Sequence, residues 1–99
     1  MDIRIQAIHF EISEKLNDFI IKKVSKLSKF SEEITKVDVS LKVVKPETAL
    51  NKEILLKAAL PGKDLIAQET CDTFEEGIDK TLDSLHKQLS KYKEKQKNR

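Results

Sequence analysis

The chain is poor in the residues that make special chemistry or special backbone. It has one cysteine, two glycines, two prolines, one tyrosine and no tryptophan in 99 residues. A lone cysteine excludes an internal disulfide framework, and no CxxC or HxxxH spacing offers a zinc site. With Gly62 and Gly77 as the only glycines, no glycine-rich loop can cradle phosphates. No apolar run approaches the roughly 18 to 20 residues that cross a bilayer. The opening Met1 to Phe10 carries Asp2 and Arg4 and lacks the layout of a signal peptide. The expectation is a soluble, cytoplasmic protein with no membrane partner, no cofactor, no metal and no small-molecule substrate.

Apolar and charged residues are both plentiful. Leu, Ile, Val and Phe together supply 30 residues, enough for a small core. Charged side chains make up 36%, with a net charge of +2. That balance is uneven: residues 1–79 carry 12 basic and 15 acidic side chains, and residues 80–99 carry seven basic and two acidic. An acidic body with a basic end fits a polyanionic partner.

The order of elements follows from periodicity. Asp2 to Phe10, with Ile3, Ile5 and Ile8, reads as a strand. Ser13 is an N-cap with Glu14 in the first turn, and Leu16, Phe19, Ile20, Val24 and Leu27 then mark one face of a helix ending near Ser28 to Phe30. Val37 to Val43 alternates with period two, as a half-buried strand does. A polar connection from Lys45-Pro46-Glu47 to Asn51 leads to a strand at Glu53–Leu60, a tight turn at Pro61-Gly62 and a partner strand at Lys63–Cys71. Thr73 and Glu76 have capping-box spacing, and Phe74, Ile78, Leu82, Leu85 and Leu89 form the stripe of a long second helix.

The resulting β-α-β-β-β-α order predicts a two-layer α+β domain. It has a four-stranded sheet with both helices on one face, a right-handed parallel crossover through the first helix, and an antiparallel meander of the last three strands. The other sheet face, with Ser40, Lys42 and Gln68, is left for water or a partner. Residues 1–91 are the expected domain and residues 92–99 a basic, flexible tail.

On a helical wheel, Lys15, Lys22, Lys26 and Lys29 share one wet side of the first helix, within about 60° of arc, and Lys23 borders its core face. Lys80, Lys87 and Lys91 line the second helix opposite its apolar stripe. Few acids accompany these rows, so i,i+4 pairing is not expected to relieve their repulsion. Two helices on one layer also predict that the rows merge. Seventeen lysines against two arginines favour contact with phosphate backbone over bidentate reading of bases. With Tyr92 the one exposed-looking aromatic, base stacking is not expected.

Thr73-Phe74-Glu75-Glu76-Gly77-Ile78-Asp79, followed by Leu82-Asp83-Ser84-Leu85-His86-Lys87-Gln88-Leu89-Ser90-Lys91-Tyr92-Lys93, resembles the closing helix of the ribosome hibernation-promoting factor and ribosome-associated inhibitor family. That helix runs approximately D-x-x-x-A-I-D-x-x-x-D-K-L-x-R-Q-L-x-K-x-K. Phe10-Glu11-Ile12-Ser13, Lys26-Leu27 and Val39-Ser40-Leu41-Lys42-Val43 are similar to family positions as well. The resemblance covers nearly the whole chain and implies the same element order. It implies binding to the ribosome in the decoding region of the small subunit, where messenger and transfer RNA would sit, and silencing under stress or in stationary phase. By this resemblance Lys23, Lys26, Lys42, Lys87, Lys91 and Lys93 are RNA-binding positions; the lysine rows add Lys22, Lys29 and Lys80. Ser84 departs from the usual lysine, Lys87 from arginine, Thr73 from aspartate and Gly77 from alanine. The glycine is expected to weaken its helix by up to ~1 kcal/mol relative to alanine. The chain resembles the short members, some of which act with a separate modulation factor.

Catalysis is not expected. Cys71 precedes a helix N-terminus, but His9 and His86 stand on other elements and no base or orienter accompanies it. Two other readings compete. A double-stranded-RNA-binding module shares the α-β-β-β-α core but reads phosphates with lysines at the start of its last helix, where this chain has Asp72, Glu75, Glu76 and Asp79. A protein-interaction domain would have no salt-sensitive affinity for RNA.

Overall fold

The computed structural model describes residues 1–44 and 49–97, with side chains to residue 94. The expected connection at Lys45-Pro46-Glu47 lies outside the described residues. The elements run β1 (Asp2–Ile8), α1 (Glu14–Val24), α2 (Leu27–Phe30), β2 (Lys36–Val43), β3 (Lys52–Leu60), β4 (Lys63–Cys71) and α3 (Phe74–Lys97). They form one four-stranded sheet of order β1-β2-β3-β4. The β1–β2 pair is parallel, as a strand–helix–strand crossover requires. The β2–β3 and β3–β4 pairs are antiparallel.

Alternation in the strands sorts the two sheet faces. Val37, Val39 and Leu41 of β2, Ile54, Leu56 and Ala58 of β3, and Leu65, Ala67 and Cys71 of β4 are all buried. Ile20, Val24 and Leu27 from the first helical segment, and Phe74, Ile78, Leu85 and Leu89 from α3, close over them as one core. Each fully buried Leu or Ile contributes on the order of 1.5–3 kcal/mol, so this two-layer contact dominates stability. On the reverse face Gln6, Ser40, Leu55 and Gln68 stand side by side across the sheet, and so do Arg4, Asp38, Lys57 and Ile66. Among the described residues, no helix lies on that face.

Local chemistry explains the element ends. Ser13 accepts a bond from the Leu16 N–H (3.1 Å) as the α1 cap, and Thr73 accepts one from Glu76 N–H (3.1 Å) as the α3 cap. Pro61-Gly62 joins β3 to β4 with Gly62 at φ 74°, the left-handed position of a type II turn. Gln88 donates from Nε2 to the Ile66 carbonyl (2.9 Å), tying α3 to the edge strand β4. Phe10 stacks on Phe74 with centroids 5.2 Å apart, joining the β1–α1 connection to the start of α3.

Two features differ from the pattern in the sequence. The first helix breaks into α1 and α2. Ser25 Oγ donates to the Lys22 carbonyl (3.1 Å) and Ser28 Oγ to the Ser25 carbonyl (2.8 Å), which gives the backbone an alternative to helical pairing. The Lys26, Ser28 and Lys29 N–H groups bond three residues back, tightening the turn and delivering Leu27 to the core at 1% exposure. Further on, α3 continues past the expected boundary at residue 91. Tyr92 packs against the core and the helix reaches Lys97.

Gly77 reverses its expected role. Here α3 comes so close to β3 that a Cβ would run into Ile54 Cδ1 and lie 2.7 Å from Ile54 Cγ1, inside a fully buried side chain. The propensity gain of alanine is therefore outweighed by overpacking, which costs about 1–3 kcal/mol. Chemical denaturation should find Gly77→Ala less stable than the parent, not more. Ile54→Val, destabilising by itself by about 0.5–1.5 kcal/mol, should recover part of that loss in the Gly77→Ala background. Additive losses in the double variant would show that the two side chains do not compete for one space.

Candidate nucleic-acid interface

The lysines come from the solvent side of the helical layer, because burying the apolar stripes against the sheet turns them outward. Lys22 stands exposed in the last turn of α1, Lys26 at the α1–α2 break and Lys29 on α2. On α3, Lys80, Lys87 and Lys91 are exposed along one side. Glu76, one turn before Lys80, lies 3.8 Å from its Nζ, so an i,i+4 pair does relieve this row at its start. Lys87 and Lys91 extend the row toward the helix C-terminus.

Lys23 and Lys93 are held. Lys23 Nζ lies 3.5 Å from Asp79 Oδ1 of α3 and 5.6 Å from the centre of the Phe19 ring. The two side chains of that ion pair are 35% and 55% exposed, so the pair adds at most about 1 kcal/mol and holds Lys23 in place at little cost. Lys93 donates to the Phe30 carbonyl and sits 4.4 Å over the Phe30 ring, whose centroid is 4.2 Å from that of His86. Lys42 is not brought to the others. It is exposed on β2 among the outward residues of the open sheet face, away from the helical layer.

Nor do the two rows merge. Between the first helical segment and α3 lies an open hollow of about 350 Å³, lined by Lys23, Lys26, Leu27, Asp79, Leu82, Asp83 and His86. Two lysines face two aspartates there, so the hollow is charge-balanced and divides the cationic surface into two tracks. The wheel carries this signal: Asp79, Asp83 and His86, at i, i+4 and i+7, share one side of α3. Considering the lysines alone hides it. The Phe30–His86 stack had no such signal, since it joins residues 56 positions apart.

Cys71 lies at 0% exposure at the end of β4. Burial pushes its thiol pKa up; Lys80 pulls it down, while Glu76, Glu69 and Asp72 push it further up. A buried, protonated thiol is a poor nucleophile. Among the described residues, no group of three or more His, Cys, Asp or Glu side chains is placed to hold a metal ion. No helix among them is long and apolar enough to cross a membrane.

The fold and surface together define a small two-layer domain that presents lysine tracks on its helical layer. Residues 3–97 match the family described as sigma 54 modulation protein / S30EA ribosomal protein, and the chain belongs to that family. It is 30% identical over 98 residues to a ribosome hibernation promoting factor of Pseudomonas putida, covering 99% of this chain and 92% of that protein. A ribosome hibernation promoting factor of Salmonella typhimurium is 32% identical over 103 residues, with 98% of each chain covered. Among solved structures, a ribosomal subunit interface protein from Coxiella burnetii superposes with a TM-score of 0.83 at 27% identity, covering 94% of this chain and 98% of that one. The N-terminal domain of Thermus thermophilus Protein Y shares the fold, with a TM-score of 0.77 at 20% identity over 93% of this chain and 99% of that one.

The Cys71 environment makes a pH prediction. A folded-state pKa above the unfolded value of about 8.5 gives a stabilising contribution that is complete below that pH and is lost as pH rises toward the folded value. Thermal melting from pH 8 to pH 10 should therefore lower the Tm of the parent more than that of Cys71→Ser. Equal losses would show that the thiol titrates alike in the folded and unfolded states.

Proposed function

We propose that this chain is a ribosome hibernation factor that binds the small ribosomal subunit in the decoding region and messenger-RNA channel. There it blocks translation under stress or in stationary phase by competing sterically with messenger and transfer RNA. The observation that carries this reading is the pair of exposed lysine tracks on rigid helices, in a chain whose family relatives are named as hibernation promoting factors. Lys22, Lys26 and Lys29 on one track, and Lys80, Lys87 and Lys91 on the other, meet phosphates as point charges and release condensed counterions. Lys23 stands in the hollow between the tracks, Lys93 lies over Phe30, and Lys42 serves a separate contact from the open sheet face.

The mechanism asks for no chemical step. The protein is a binder and not an enzyme, and its inhibition follows from filling a place another ligand needs. Side chains held on helices lose little freedom on docking, so more of the gross attraction survives as affinity. The whole ribosome, in the cytoplasm, is the larger partner, and a separate modulation factor is a further candidate. A general double-stranded-RNA-binding module fits less well, because Glu75 and Glu76 occupy the first turn of α3 where such a module places its lysines.

Sedimentation of lysates from growing and starved cells is the direct test, with the protein expected in ribosomal fractions on starvation. Binding to purified small subunits should weaken steeply with salt, with a log–log slope of about −0.7 to −0.9 per phosphate contacted. Lys26→Glu with Lys87→Glu should release the protein from subunits while leaving its circular dichroism and melting unchanged, since both side chains are exposed. Salt-independent binding, or full binding by the reversed variant, would remove the tracks from the interface.

Steric occupancy makes a further demand. At fixed protein, added messenger and initiator transfer RNA should restore translation and displace the protein from the subunit. Quantitative co-sedimentation of all three on one subunit at saturation would replace occlusion with a remote conformational effect.

A further inference from the structure

Stability accounts for little of the acidic charge in the hollow. The Lys23–Asp79 pair is exposed and contributes little to stability. The helix dipole favours carboxylates only in the first turn, and α3 starts at Phe74, so Asp79 and Asp83 lie beyond its reach. They nevertheless line the hollow between two lysine tracks, where a negative charge opposes the binding of a polyanion.

We propose that Asp79 and Asp83 act as a charge divider that sets which RNA the helical layer accepts. This rests on the reading of the lysine tracks as an RNA interface. A continuous polyanion, such as a plain duplex laid across both tracks, must bring phosphates over the hollow, against Asp79 and Asp83. Folded RNA that presents two separate phosphate runs, one to each track, with neutral base or ribose edges between, avoids that repulsion. Screening limits the effect to about 8 Å at physiological salt, close to the spacing of packed helices, so the divider penalises phosphates over the hollow and spares those on the outer flanks. The same geometry guards Lys23. Asp79 neutralises it until a correctly placed phosphate takes over the contact.

Asp79→Asn with Asp83→Asn tests this, because it removes both charges at nearly constant shape. The probes are an RNA duplex of about 20 base pairs with unrelated sequence and purified small ribosomal subunits. The control is Asp2→Asn with Glu53→Gln, which makes the same change in net charge on the open sheet face, away from both tracks. The divider variant should bind the duplex about tenfold more tightly than the parent, with a salt slope steeper by about one phosphate contact as Lys23 is freed. Its affinity for subunits should stay within about twofold, so selectivity collapses. The control should gain less than about twofold on the duplex. Asp83→Asn alone, which breaks no ion pair, should give part of the gain if the double variant melts early. Duplex binding by the divider variant no tighter than by the control overturns the proposal. Parental protein that fails to bind subunits overturns the ribosomal reading instead, and the duplex arm still decides whether the divider exists.

Discussion

The seating of α3 on β3 and β4 is the constraint on which the rest of this structure depends. Ile78, Leu85 and Leu89 have no exposure at all, and Gly77 lets the helix settle against Ile54 without a Cβ between them. Once that contact forms, the rotation of α3 about its axis is set, and with it the direction of every polar side chain along the helix. Lys80, Lys87 and Lys91 then point to water, Gln88 reaches the edge strand, and Asp79 and Asp83 turn toward the first helical segment. A small shift in the register of the core stripe would redistribute all of them. The charged surface is thus a consequence of apolar packing.

Much of this was legible in the sequence because it is written in periodicity. The alternation in Val37–Val43, the three- and four-residue spacing of Leu16 to Leu27, and the caps at Ser13 and Thr73 are local signals that agree with the final packing, which is how a chain comes to prefer one fold. The β4 boundaries match the pattern because Pro61-Gly62 pins the register at one end. The break at Ser25 was not legible in the same way. Serine in a helix is only mildly unfavourable, and the decision was made by hydroxyls finding carbonyls and by Leu27 gaining a place in the core. Gly77 was misjudged for a related reason: propensity scores a residue against its own helix, and here the relevant neighbour is on a strand.

The candidate interface was readable in outline and not in its internal order. A helical wheel sorts side chains by direction on one helix, and it placed the lysines correctly on the wet sides. It cannot say which flank of one helix faces which flank of another. That relation is tertiary, and it decides that Lys23 meets Asp79, that Lys93 caps Phe30, and that Lys42 belongs to the opposite side of the molecule. Counting lysines overstates the cationic surface, since Asp79 and Asp83 line the same hollow as Lys23 and Lys26.

The bond from Gln88 to the Ile66 carbonyl has a consequence for crowding. β4 is an edge of the sheet, and edge strands offer their backbone groups to any extended chain that approaches. Ile66 is 54% exposed on the open face, which makes this stretch of edge the adhesive one. The glutamine amide occupies one of its acceptors, and an incoming strand has to displace a side chain anchored on a packed helix before it can pair. A second copy of the chain is thereby discouraged from extending the sheet at this edge.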